Sequence, residues 1–131
     1  MNRRQRRPAL LDTSFLIDLE RETTAGQEGP ARRFLPSLRG RSLIVSIVSV
    51  EEILEGAADE ISALHALRRF TIQGLFLTQA RRCALVQRRA RRWLGENDAW
   101  LVATAQVLDA DVVGADRPAF ERLGTRYLRF R

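Results

Sequence analysis

Along the chain, short unbroken apolar runs alternate with longer stretches in which apolar residues recur every three or four positions. The runs "PALLD" (8–12), "SLIVS" (42–46) and "DVVGA" (111–115) predict strands buried on both faces. "TIQGLFLT" (71–78) predicts a brief strand or extended link, and "RYLRF" (126–130) a closing strand. The periodic stretches predict helices over 13–21, 48–57, 58–70, 79–94 and 98–108, with a short one at 117–123. Another begins at Pro30 and stops at Gly40, a proline start and a glycine stop that suit a helix. A polar, glycine-bearing loop is expected over 22–29. In "NDAWLVATA" the helix is apolar nearly all round, which predicts burial, yet an Asn97-Asp98 pair opens it.

Strands that alternate with helices predict an α/β fold around a central, mostly parallel sheet covered on both faces. The 131 residues are the usual length of one domain. A single domain over 1–131 is therefore expected, without linker, repeat or low-complexity segment, and with residues 1–7 as a basic N-terminal arm.

Charge adds a direction to this picture. All 22 basic residues are arginine against 16 acids, a net charge of +6. Four arginines crowd into residues 3–7 and eight lie between Ile61 and Gly95, where no acid occurs. Without those twelve the rest of the chain stands at −6, so basic and acidic regions are segregated. Arginine suits bidentate phosphate contacts, which makes a polyanion partner the working expectation. Arg81, Arg82, Arg88 and Arg89 on the 79–94 helix are the candidate contacts to RNA phosphates or to an acidic partner protein, against the alternative of a solvated helix face. Trp93 and Trp100 are able to stack on bases, but their apolar helical faces predict core positions.

Asp12 and Asp18 interrupt the apolar part of the N-terminus, which argues against a secretory leader, and no run approaches membrane-spanning length. The single Cys83 on a core-facing helical position is expected to be an inert buried thiol and His65 a surface imidazole, in keeping with a reducing cytoplasm.

The acids carry the chemistry. In an open parallel sheet, ligands bind beyond the carboxyl ends of the strands. Asp12 ends the first strand, Glu52 lies in the helix after the second, Asp98 opens the buried helix and Asp116 follows the strand at 111–115. Each has a plainer role available: Asp12, Asp98 and Asp116 as helix caps, Glu52 as one of three solvated glutamates with Glu51 and Glu55. Helical geometry does not choose among those three. One shared site explains all four acids, but carboxylates gathered without a cation repel by about 4 kcal/mol per pair at 4 Å and an effective dielectric near 20. With no lysine available, and no His or Cys near these positions, the compensating charge would be a hard divalent cation, Mg²⁺ or Mn²⁺, on oxygen ligands and water. Such a site beside a basic surface points to phosphodiester hydrolysis.

The residues around these acids resemble PIN-domain ribonucleases, and in particular the VapC-type toxins of toxin–antitoxin pairs. The likeness runs through "LLDTSFLIDL", "SIVSVEEILEGA", "NDAWLVATA" and "VVGADRPAF". Asp12-Thr13-Ser14 matches the family's first acid motif. Ser49, Glu52, Ile53 and Gly56 match the second, which selects Glu52 over its neighbours. Asp98 matches the third, with Val102 where an alanine is usual, and Asp116 with Phe120 the fourth, with Gly114 in place of a Thr or Ser. The resemblance implies a three-layer α/β/α fold and a Mg²⁺- or Mn²⁺-dependent endoribonuclease. It implies that Asp12, Asp98 and Asp116 hold metal, that Glu52 positions or activates water, and that Ser14 is an auxiliary polar contact. It also implies an RNA substrate, a homodimer and a cognate antitoxin. The rival readings are an RNA-processing nuclease of the same fold and a non-catalytic arginine-rich binding module. A phospho-receiver domain is disfavoured by the missing lysine.

Overall fold

The computed structural model describes residues 7–115 and 118–131. Its centre is a five-stranded parallel sheet in the order β3-β2-β1-β4-β5, formed by β1 (Ala9–Leu11), β2 (Leu43–Ser46), β3 (Thr71–Gln73), β4 (Asp111–Gly114) and β5 (Tyr127–Arg129). The helices are α1 (Thr13–Ala25), α2 (Pro30–Phe34), α3 (Ile47–Gly56), α4 (Glu60–Leu67), α5 (Leu77–Arg89) and α6 (Glu96–Leu108). Two 3₁₀ segments, Leu35–Leu38 and Pro118–Arg126, complete the chain.

Alternation along the strands divides the interior in two, because successive side chains leave a strand on opposite faces. Ala9, Leu11, Val45 and Val113 join α1, α3 and α4 in one core, where Phe15 meets Phe130 edge-on at 5.0 Å between ring centres. Leu10, Ile44 and Val112 enter the other with Cys83, Val86 and the buried face of α6. The result is the expected α/β/α sandwich. Ala99, Leu101, Val102, Ala103, Thr104 and Ala105 are all buried, as the apolar character of that helix requires. Cys83 is buried and His65 exposed, as expected, and burial, followed by the charge of Glu96, pushes the thiol pKa up.

At three helix ends a side chain that reaches the backbone moves the boundary away from the sequence expectation. Helix α1 runs to Ala25 and stops at Gly26 in the left-handed region (φ 66°), instead of ending at Arg21. Its last turn places Glu22 over the start of α2, where the carboxylate accepts the N–H groups of Gly29 (2.9 Å), Ala31 (3.1 Å) and Arg32 (2.8 Å). Desolvation pushes this carboxyl up in pKa. The bonds from Arg32, Ala31 and Gly29, with the charge of Arg33, outweigh it and leave the pKa below the ordinary glutamate value. A lowered folded-state pKa stabilises the fold above the unfolded value, and that stability is lost as pH falls through the folded one. Glu22→Ala is thus expected to cost about 1 kcal/mol at neutral pH, the usual effect of removing a helix cap, in urea titrations. That difference should vanish in acid, once Glu22 is protonated in both states.

Helix α5 starts two residues early, at Leu77, because Gln79 reaches back to accept the Phe76 N–H (3.0 Å). It ends at Arg89 rather than at residue 94. Gln87 folds over the following loop, accepting the Leu94 N–H (3.1 Å) and donating to the Leu94 carbonyl (3.0 Å). Arg91, Arg92 and Trp93 are therefore off the helix, and Trp93 is not core: it is 80% exposed. Trp100 is half-buried against the second core, as expected.

At the amino edge of the sheet, fully buried Asp111 gathers arginines from three separate segments. Arg41 Nη1 lies 2.8 Å from Oδ2, while Arg126 Nε and Arg7 Nε lie 3.5 and 3.8 Å from Oδ1. Arg7 is the described end of the basic arm; residues 1–6 lie outside the described residues.

Candidate functional site

Three of the four predicted acids, Asp12, Glu52 and Asp98, belong to segments at the carboxyl edge of the sheet, and topology explains why. β1 lies between β2 and β4, so the crossover direction reverses beside it, and the carboxyl end of β1 is where parallel α/β sheets of this kind bind ligands. Asp12 is the residue at that point. It occupies the N-cap position of α1 but makes no side-chain cap bond, and only 3% of it is exposed. Its Oδ2 instead accepts the Ser14 hydroxyl at 2.8 Å, and Ser14 Oγ in turn accepts the Ala115 N–H at 3.1 Å. Ser14 thus ties the carboxylate after β1 to the chain leaving β4.

Glu52 comes from the next strand–helix unit. Ser46 caps α3 by accepting the Val48 N–H (3.2 Å), and one turn further Glu52 receives the Thr13 hydroxyl at 3.0 Å. Glu51 and Glu55, by contrast, are exposed and interact with each other: the hydrogen bond and charge of Glu55 raise the Glu51 pKa. Of the three glutamates, Glu52 is the one joined to the segment that carries Asp12. Sequence reasoning gives Thr13 no role of its own; the signal for it is its position between Asp12 and Ser14.

Asp98 reaches the same edge from the opposite layer. Helix α6 runs back toward the amino edge, where β4 begins, so its N-terminus lies at the carboxyl edge, in contact with α3. The helix opens at Glu96 after Gly95 as N-cap, two residues before the predicted start. Asp98 is therefore a half-buried residue of the first turn and not the cap. The positive end of the helix favours its ionised form.

Gly114 has a steric reason. A Cβ there would lie 3.1 Å from both Cβ and Oδ2 of Asp12 and 3.4 Å from the Tyr127 hydroxyl, so the glycine leaves Asp12 its place. Asp116, the fourth acid, lies outside the described residues.

Among the described residues no three His, Cys, Asp or Glu side chains stand close enough together to hold a metal ion. The donors at the edge are all oxygens, however, of carboxylates and of the Ser14 and Thr13 hydroxyls, and Mg²⁺ takes one or two carboxylates plus water. The donor chemistry fits that ion and disfavours zinc, which prefers nitrogen and sulfur ligands.

Arg81, Arg82 and Arg88 line a groove of about 610 Å³ between α5 and the end of α6, with no acid in its lining. Arg89 is exposed in the last turn of α5. No helix among the described residues is long and apolar enough to cross a membrane.

This fold and edge define a class. The PIN-domain family model matches residues 9–125, and the chain belongs to the PIN-domain family. PIN domains are generally nucleases that use divalent metal ions. Among solved structures the chain is similar to a toxin–antitoxin complex from Klebsiella pneumoniae (25% identity, TM-score 0.73, 92% of this chain and 98% of that one). It is also similar in fold to FitAcB from Neisseria gonorrhoeae (20% identity, TM-score 0.76, covering 93% and 97%). A further likeness is to DNA-bound VapBC from Salmonella typhimurium (17% identity, TM-score 0.68, covering 94% and 96%). The three likenesses agree with one another on the fold. No curated protein sequence gives a significant match.

Proposed function

We propose that the protein is a metal-dependent endoribonuclease and the toxin of a toxin–antitoxin pair. The observation that carries the reading is the convergence of Asp12 and Glu52 on the 12–14 segment, through Ser14 and Thr13, at the carboxyl edge of a PIN-family sheet. Asp12, Asp98 and Asp116 are the residues that would hold Mg²⁺ or Mn²⁺. When bound, the ion supplies Lewis-acid chemistry at a phosphodiester. Glu52, oriented by the Thr13 hydroxyl, accepts the proton of the attacking water, and Ser14 holds the Asp12 carboxylate in place.

Arg81, Arg82, Arg88 and Arg89 bind phosphates of the RNA along α5. In an Arg88→Ala, Arg89→Ala double variant the salt dependence of RNA binding is expected to become shallower, by a slope of roughly 0.7 for each phosphate no longer neutralised. An unchanged slope in fluorescence anisotropy would return these arginines to the role of a solvated face.

The partner implied by the reading is a cognate antitoxin, with a homodimer as the toxin's own assembly. Expression in a bacterial host is expected to arrest growth, and co-expression of the neighbouring small open reading frame to relieve the arrest. RNA cleavage without growth arrest would favour an RNA-processing role instead. Light scattering of the purified chain checks the dimer.

A further inference from the structure

Resting on the nuclease reading, we infer that Trp93 is a stacking platform for an unpaired base of the RNA substrate. The indole is 80% exposed on the loop between α5 and α6, while the next residue, Leu94, is only 7% exposed. The two hydrogen bonds from Gln87 fix the Leu94 backbone, so the loop holds Trp93 outward from a clamped base. A platform fixed in this way loses little freedom when a base stacks on it.

The surroundings select a nucleic acid over a protein partner. Arg88, Arg89, Arg91 and Arg92 are all exposed, and no acid lies between Ile61 and Gly95. Among the described residues, Trp93 is the one large hydrophobic side chain left exposed beyond Leu77. A protein interface buries a cluster of apolar side chains around such an anchor. A base needs one ring face, with cations for the flanking phosphates. Location agrees: Trp93 precedes Asp98 by five residues, a reach of at most about 18 Å. The target is unpaired, since a base inside a duplex has both faces already stacked.

The test uses the full chain in EDTA, so that RNA is bound and not cut, with a labelled single-stranded oligonucleotide of mixed sequence and its duplex as probes. Trp93→Ala is expected to weaken single-strand binding about tenfold, Trp93→Phe to retain most of it, and neither to move the melting temperature. In a Trp100→Phe background the remaining tryptophan fluorescence should be quenched by the single strand and not by the duplex. Should that background fail to fold, the anisotropy of Trp93→Ala decides alone. Wild-type affinity in Trp93→Ala overturns the inference, as does a change in oligomeric mass without a change in RNA binding, which would make Trp93 a protein contact. A wild type that cleaves RNA while Trp93→Ala binds normally sinks only the platform. A wild type that neither binds nor cleaves sinks the nuclease reading with it.

Discussion

Asp12→Asn is expected to leave the protein folded and to lower RNA cleavage about a thousandfold or more. A cation at such a site contributes several kcal/mol of charge stabilisation, and each 1.36 kcal/mol is tenfold in rate. Asparagine keeps the shape of aspartate, and its carbonyl oxygen still accepts the Ser14 hydroxyl bond that now spans 2.8 Å. What it loses is the charge that offsets the cation. Asp18→Asn is the control. It removes an acid from the same helix, but one paired with Arg21 and Arg131, and should leave cleavage intact. Undiminished cleavage by Asp12→Asn at equal melting temperature would remove Asp12 from the site.

The second large effect is on stability. Asp111→Ala is expected to destabilise the fold by about 3–5 kcal/mol, the cost of breaking a buried ion pair and stranding its partner. The stranded partner is Arg41, whose side chain is only 8% exposed and whose 2.8 Å bond to Asp111 crosses from the start of β2 to β4 around the amino edge of β1. Arg126 retains Asp109 at 2.8 Å and suffers less; Arg7 has no second pairing among the described residues. Thermal unfolding should drop by roughly 10 °C or more. A shift within about 2 °C would mean that water enters and solvates the arginines. Because this cluster lies on the edge opposite the candidate site, Asp111→Ala protein that remains folded in the cold should still cleave RNA.

Asp12 and Asp111 differ greatly in how visible they are in the sequence. Asp12 is legible because it ends an apolar run and begins a periodic one, and because Thr13 and Ser14 complete a motif. The sheet is legible for the same reason, since strands covered on both faces are unbroken apolar runs such as Leu10-Leu11 and Val112-Val113. Asp111 looks like the polar start of a strand. Its closest partner, Arg41, lies 70 positions away, and nothing local marks a contact of that range. Helix ends escape for a related reason. Glu22, Gln79 and Gln87 set boundaries by bonding to backbone several residues away, which a periodicity of apolar residues does not register. Trp93 reads as core only while the helical periodicity is carried past Arg89; once Gln87 turns the chain there, the same residue faces solvent. Within the site, motif context selects Glu52 from three glutamates that helical geometry leaves equal, and the Thr13 bond supports that choice without depending on it.

Whether Asp98 belongs to a metal nuclease site is decided by cleavage of total bacterial RNA by the purified chain, wild type beside Asp98→Asn, with Mg²⁺ or Mn²⁺ and with EDTA. Wild type should make discrete cuts with either ion, and these should be lost in EDTA and lost in Asp98→Asn at every metal concentration. Intact RNA after incubation with folded, metal-supplied wild type, or equal cutting by Asp98→Asn, would contradict a metal nuclease site that contains Asp98.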